Sequence, residues 1–340
     1  MPLSGIGITP GSGAIYNELN ALTRRAFIPR VTTQIYYSTP TMMMMLGNAQ
    51  KVAGGVNQIT APVQGASMVQ GAWTSYSGTF NKPQVIPGVS NAQFSVPFFV
   101  VPVPLVLGEA LIQSTEAVVK ILDVRMNDIY AVTSQQMGSA IFTNNSANSL
   151  MPQGLVEAYD NGTNVNTYGG ISRTAAGNAF WQGQYYSAGG ANILNRATLA
   201  QYLVQVTDNA GGEKPDMVVM SPSDFATLNS TFVGIEQINV DPNKSYGFDG
   251  KIRSSFMNVE ISGVPFFLDH WCPKGTMYML NSKYISMYLS EDAPFAFSGF
   301  YSAIPLMQIA QIGVMIVGYN IVCTKPSSGA VITNFTGGAF

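Results

Sequence analysis

Asp269, His270 and Cys272 stand in one four-residue run, and His270 is the only histidine in 340 residues. A thiol beside an imidazole and a carboxylate is the composition of a nucleophilic centre, in which the imidazole takes the thiol proton and the carboxylate orients the ring. Catalytic groups usually converge from separate parts of a fold, whereas chain neighbours splay apart, so this run reads as a turn between strands. His270, Cys272 and the second cysteine, Cys323, could offer three ligands to zinc, but their spacing fits no zinc pattern. Glycine pairs at 54–55, 169–170, 189–190 and 211–212 invite a phosphate-loop reading. None runs on into Gly-Lys-Ser/Thr, which would set a lysine on the phosphates, so each reads as a turn. The residues therefore assign no catalytic centre, no metal site and no cofactor site.

What the chain offers instead is surface. Hydrophobic residues make up 46% of it and charged residues only 10%, against roughly 25% charged in an ordinary soluble domain. Such a surface is covered by partners, or else is the Ser/Thr/Asn/Gly-rich exterior of an extracellular β-protein. The net charge of −2 and the absence of a basic run argue against nucleic-acid binding through phosphate neutralisation. Two cysteines cannot form a disulfide scaffold and allow at most one bridge, which favours a reducing cytoplasm. The N-terminus lacks a basic region followed by an apolar one, so no signal peptide is expected. The most apolar stretches, 96–107 and 304–317, are broken by Pro97, Pro102 and Pro104 or by Gln308 and Gln311. Neither should span a membrane.

Residues 1–46 read as an arm. Gly5, Gly7, Pro10, Gly11 and Gly13 prevent a regular start, a short helix fits 14–23, and Arg24, Arg25 and Arg30 form the only local basic cluster. Four consecutive methionines, Met42 to Met45, suit an adaptable apolar plug. Residues 47–94 alternate short apolar runs with glycine and proline and read as a long two-stranded ribbon. Such a ribbon is marginal alone. Its Trp73, Tyr76 and Phe80 need a partner surface, and another copy of the chain is the simplest one.

From Pro104 onward, apolar residues from Leu107 to Val132 recur at helical spacing, which predicts one helix over about 105–142, with Pro104 in its first turn. A loop-rich stretch follows to residue 192. An amphipathic helix is expected near 193–204, a buried strand at 217–220, and a helix opened by Pro222 with Ser221 as its cap. Strands are expected at 259–268, 276–280 and 285–289, then one or two long strands from 304 to 323 and a last one at 331–335.

This order of elements resembles the major capsid proteins of tailed double-stranded DNA bacteriophages, the Hong Kong 97-like fold, over nearly the whole chain. The run Asn166-Thr-Tyr-Gly-Gly-Ile-Ser-Arg173 with Trp181 resembles a segment of such proteins. So does Ile261-Ser-Gly-Val-Pro-Phe-Phe-Leu268 followed by Pro273-Lys-Gly-Thr276 and Tyr284. The resemblance implies an α+β fold with an N-terminal arm (1–46), an extended β-hairpin E-loop (47–94) and a peripheral domain (95–189) carrying a long spine helix. An axial α/β domain (190–290) and return strands to the peripheral domain (291–340) complete it.

The implied function is structural: self-assembly into an icosahedral head shell around packaged DNA, with a procapsid that matures by expansion. Implied partners are the chain itself, as hexamers and pentamers, with a portal and a decoration or cement protein. Because the extra helical segment of scaffold-fused relatives does not precede the arm, the resemblance implies either a separate scaffolding protein or a matured form of the chain, and Met1 favours the former. The implied location is the virion, after assembly in the host cytoplasm. Arg24, Arg25, Arg30, Trp73, Tyr76, Phe80 and Lys82 are the candidate inter-subunit contacts. Lys82 resembles, by position, the crosslinking lysine of some relatives, although an ordinary solvated lysine is the simpler reading. Two other functions compete: a secreted or tail-associated β-rich binding module, and a hydrolase using Cys272 and His270.

Overall fold

The computed structural model describes residues 40–53, 56, 58–68, 71, 73–78, 88–106, 121–145, 148–232, 260–293, 295–302 and 310–336. The expected helix at 14–23, together with Arg24, Arg25, Arg30, Phe80 and Lys82, lies outside these residues.

The described chain opens with helix α1 (Pro40–Gly47) and strands β1 (Gln50–Val52), β2 (Gln58–Gln64), β3 (Val89–Ser95) and β4 (Phe98–Val106). Helix α2 (Ile121–Ile141), the short α3 (Leu155–Ala158), and strands β5 (Thr167–Tyr168), β6 (Ile171–Ser172) and β7 (Gln184–Ser187) follow. Then come α4 (Arg196–Asn209), β8 (Met217–Met220), α5 (Pro222–Phe232), β9 (Glu260–Ile261) and β10 (Val264–Leu268). The chain closes with β11 (Thr276–Leu280), β12 (Ile285–Ser290), β13 (Ala296–Ser302), β14 (Ala310–Cys323) and β15 (Ala330–Thr333).

Two larger sheets organise the body. One has the order β1-β12-β14-β13, with β4 also paired to β14; the other has the order β7-β15-β11-β8-β10-β9. The 14-residue strand β14 is the backbone of the first sheet, pairing β13 and β4 along its first part and β12 along its last. β8, apolar at every position and wholly buried, lies between β11 and β10 in the second. Helices α4 and α5 pack Leu199, Leu203, Val206, Phe225 and Leu228 against that sheet. The helix α5 begins as its sequence dictates, with the Ser221 hydroxyl accepting from Asp224 N–H at 3.3 Å.

The methionine run is a plug, as expected: Met42 and Met45 of α1 are buried in the main core with Met137 and Ile141 of α2. Asp269 holds it in place, one carboxylate oxygen accepting from Thr41 N–H at 3.3 Å.

Three expectations are corrected. The helix does not begin at 105, because Leu105 and Val106 belong to β4, and the described helix runs from Ile121 for 21 residues. At about 1.5 Å per residue it spans roughly 30 Å. Pro104 sits in a strand because its side of that strand needs no donor. Pro102 and Pro104 lie opposite Val314 and Ile312 of β14. Val314 turns its N–H the other way, to Ser298 Oγ at 3.1 Å, and the Pro104 carbonyl accepts from Arg125 of α2 at 2.7 Å. The prolines thus remove donors only from the outer edge.

The ribbon also departs from the expectation among the described residues. Its paired strands are 58–64 and 89–95, while β1 joins a different sheet and residues 73–78 form no strand. Finally, the strand at 259–268 is a tight hairpin, β9–β10, because Ser262 and Gly263 adopt positive φ. β14 lies in the first sheet and β15 in the second, where it bridges β11 and β7.

Candidate assembly surface

The β2–β3 hairpin is rooted on the body. It pairs from Gln58 opposite Ser95 to Gln64 opposite Val89, and Gly65 N–H donates to Gly88 C=O at 2.8 Å. Alternation directs Ile59, Val63, Ala92 and Phe94 inward, where all four are buried in the main core. The sequence reading held that this stretch could bury little of itself, and its root contradicts that.

Beyond Gly65 and Gly88 the described residues include Trp73 and Tyr76. Trp73 and Tyr76 are 106% and 110% exposed, so neither ring touches its own chain. Two wholly wetted aromatic rings on one loop form an apolar payload without intrachain cover. Of the seven candidate contact residues these two are placed, and they share the tip. Exposed apolar side chains that the sequence reading did not select include Phe98 and Val100 on β4, Tyr130 on α2 and Tyr301 on β13. The two-residue spacing of Phe98 and Val100 is the available signal, inside a proline-broken apolar stretch that carries no strand expectation.

The Asn166–Arg173 segment folds into the hairpin's support. Asp160 is buried, and its carboxylate accepts from the N–H groups of Gly162, Asn164 and Val165 at 2.7, 3.1 and 3.0 Å, which winds the following loop. Arg173 is 0% exposed. Its guanidinium donates to the carbonyls of Trp181, Val165 and Ala158 at 3.1, 3.3 and 2.9 Å and lies 5.0 Å from the centre of the Tyr168 ring. Loss of solvent lowers the Arg173 pKa and raises that of buried Glu157, which accepts from Asn145 N–H. Sequence reading singled out this segment but did not foresee that its arginine is interior.

The residues with chemical potential take up structural positions. Cys272 is buried, its thiol donates to Thr276 C=O at 3.4 Å, and loss of solvent pushes its pKa well up. Cys323 is buried on β14, with its pKa pushed up to about 12, also by loss of solvent. Both thiols are free, and such groups are poor nucleophiles. His270 is exposed and packs edge-on against Trp271, with ring centres 5.6 Å apart. Asp269 is engaged by Thr41 N–H and by Trp271 N–H, the latter at 3.0 Å. Among the described residues, no cluster of three or more His, Cys, Asp or Glu could hold a metal ion, and no helix is long and apolar enough to cross a membrane. A shallow cleft of about 580 Å3 lies beside the hairpin root, lined by Pro62, Val63, Phe180, Trp181, Tyr284 and Lys325 among others.

No family model matches the chain, and no curated protein matches it in sequence. Solved structures do share its fold. The capsid of cyanophage A-1(L) matches with a TM-score of 0.71 at 15% identity, covering 94% of this chain and 99% of that one. The capsid of a native GTA particle matches with a TM-score of 0.61 at 9% identity, over 95% and 99% of the two chains. The SrpI encapsulin of Synechococcus elongatus PCC 7942 matches with a TM-score of 0.54 at 9% identity, over 96% and 98%. The α+β architecture is therefore the Hong Kong 97-like capsid fold.

Proposed function

We propose that this chain is a major capsid protein that self-assembles into the icosahedral head shell of a tailed double-stranded DNA bacteriophage. The observation that carries this reading is the match to the cyanophage A-1(L) capsid at a TM-score of 0.71 over 94% and 99% of the two chains. A β-rich binding module is supported less, because a mixed six-stranded sheet flanked by helices and a 21-residue helix have no part in it.

On this reading the work is mechanical. The β2–β3 hairpin is the E-loop, α2 belongs to the spine helix, and the sheet containing β8 is the core of the axial domain around the five- and six-fold positions. Trp73 and Tyr76 reach a neighbouring copy, and many such contacts add through multivalency. A separate scaffolding protein, a portal and a decoration protein are the partners to seek, and assembly takes place in the host cytoplasm before the protein resides in the virion.

The test removes the tip and keeps its root. Gly65 and Gly88 already face each other through a 2.8 Å hydrogen bond, so residues 66–87 can be replaced by Asn-Gly, a two-residue hairpin turn. The shortened chain should fold and stay soluble but sediment as small species where the full chain forms particles. Particles of normal size from the shortened chain would contradict the E-loop role.

A further inference from the structure

We propose that residues 157–181 form a buckle that sets the direction of the hairpin, with Gly169 and Arg173 as its positioning residues. The inference rests on the capsid reading only where it concerns shells; the buckle itself is a statement about one chain.

The buckle grips both strands of the hairpin. On β3, Gln93 N–H donates to Gly169 C=O at 2.8 Å, and the Phe94 ring meets Tyr168 edge-on with centres 5.1 Å apart. On the other side, Gly65, directly after β2, lies against Phe180. A side chain at either contact would force a neighbouring ring to move. A Cβ on Gly169 would stand 2.7 Å from Phe94 Cζ, and one on Gly65 would stand 2.2 Å from Phe180 Cε1. Gly169 also has φ of +56°, a conformation that other residues adopt at a cost.

The buckle is fastened to the body and braced within itself. The Tyr168 hydroxyl accepts from Cys323 N–H at the end of β14 at 2.9 Å, and Trp181 Nε1–H donates to Tyr168 C=O at 2.8 Å. Gly183 N–H donates to Asp160 C=O at 2.9 Å, closing the loop on itself. Arg173 at its centre donates to three carbonyls. A buried arginine spent on carbonyls rather than on a carboxylate adds rigidity at the cost of desolvation. That expense is reasonable where a loop must hold one shape. The hairpin's own ladder is only seven pairs long, so its heading depends on what holds its outer side.

Hydrogen–deuterium exchange on the unassembled chain, followed by electron microscopy of assembly reactions, tests this. Gly169→Ala should keep the cooperative unfolding of the body while exchange at amides 89–95 quickens at least tenfold. Shells should become irregular in diameter or fail to close. Gln93→Pro is the second variant. Gln93 turns its N–H out of the ladder toward Gly169, so proline there removes that bond and the exposed Gln58–Gln93 side-chain bond while leaving the β2–β3 backbone ladder intact; it should give the same two effects. Unchanged exchange at 89–95 in both variants overturns the buckle. Faster exchange with shells of normal diameter overturns its role in assembly. A wild-type chain that forms no shells contradicts the capsid reading instead, and the exchange result then decides the buckle alone.

Discussion

Trp73→Ala should leave folding untouched and weaken assembly. Trp73 is 106% exposed, so its removal deletes no contact within the chain, and the unfolding free energy should shift by no more than about 0.5 kcal/mol. Covered by a neighbouring copy, the same ring would withdraw roughly 200 Å2 from water. At about 25 cal/mol per Å2 this contributes roughly 5 kcal/mol for full coverage. Half coverage leaves about 2.5 kcal/mol per contact, equivalent to roughly a sixtyfold rise in the protein concentration at which shells appear. Scanning calorimetry of the unassembled chain reads the first quantity, and light scattering against concentration reads the second. Tyr76→Ala should act in the same direction. A fall of several degrees in Tm would show that Trp73 packs within its own chain. An unchanged threshold for shells would show that the ring faces solvent there too, and either result refutes the reasoning.

Other outcomes follow from the ladder and the buried carboxyl. Because Gln93 gives its N–H to Gly169, its partner Thr60 also faces out of the β2–β3 ladder, whereas Ala61 faces in. Thr60→Pro should therefore be nearly neutral to Tm, while Ala61→Pro should cost about 1–3 kcal/mol for a lost ladder bond; equal effects would mean that the register is wrong. Burial raises the Glu157 pKa, so the folded chain holds that proton to higher pH than the unfolded chain does. Its contribution to stability falls as pH rises through the interval between the ordinary glutamate value and the folded one. Glu157→Gln keeps an oxygen for Asn145 N–H and removes the titration, so its Tm advantage over the wild type should widen from about pH 4 upward. A gap that is flat or narrows with rising pH would contradict the burial argument. Gly154→Ala should be strongly destabilising, because a Cβ there would stand 2.3 Å from Thr143 O and 2.6 Å from Ile141 O at the end of α2. A Tm within a degree of the wild type would mean that this close approach is not made.

What the sequence revealed was mostly local. Ser221-Pro222 announces a capped helix start, and the wholly apolar Met217–Met220 announces a central strand. Gly-rich punctuation with alternating apolar residues announced a hairpin between 47 and 94, though not its limits. The unread parts depend on direction or distance. A sequence does not say toward which neighbour a strand turns its N–H groups, so Pro104 reads as a helix start rather than as an outer edge. It does not say that Ala330–Thr333 crosses to a different sheet from Ala310–Cys323, because that pairing is made over long separations. Arg173 looks like any surface arginine. Only its setting between Tyr168 and Trp181, beside a glycine pair, hinted that it belongs inside. Trp73 and Tyr76 were legible as residues needing cover because large aromatics in a flexible ribbon have no core to enter.

Negative-stain electron microscopy of the full chain, expressed alone and together with its candidate scaffolding protein, tests the central claim most directly. Closed shells, tubes, or hexameric and pentameric rings are the result the capsid reading predicts. A monodisperse monomer under both conditions would contradict it.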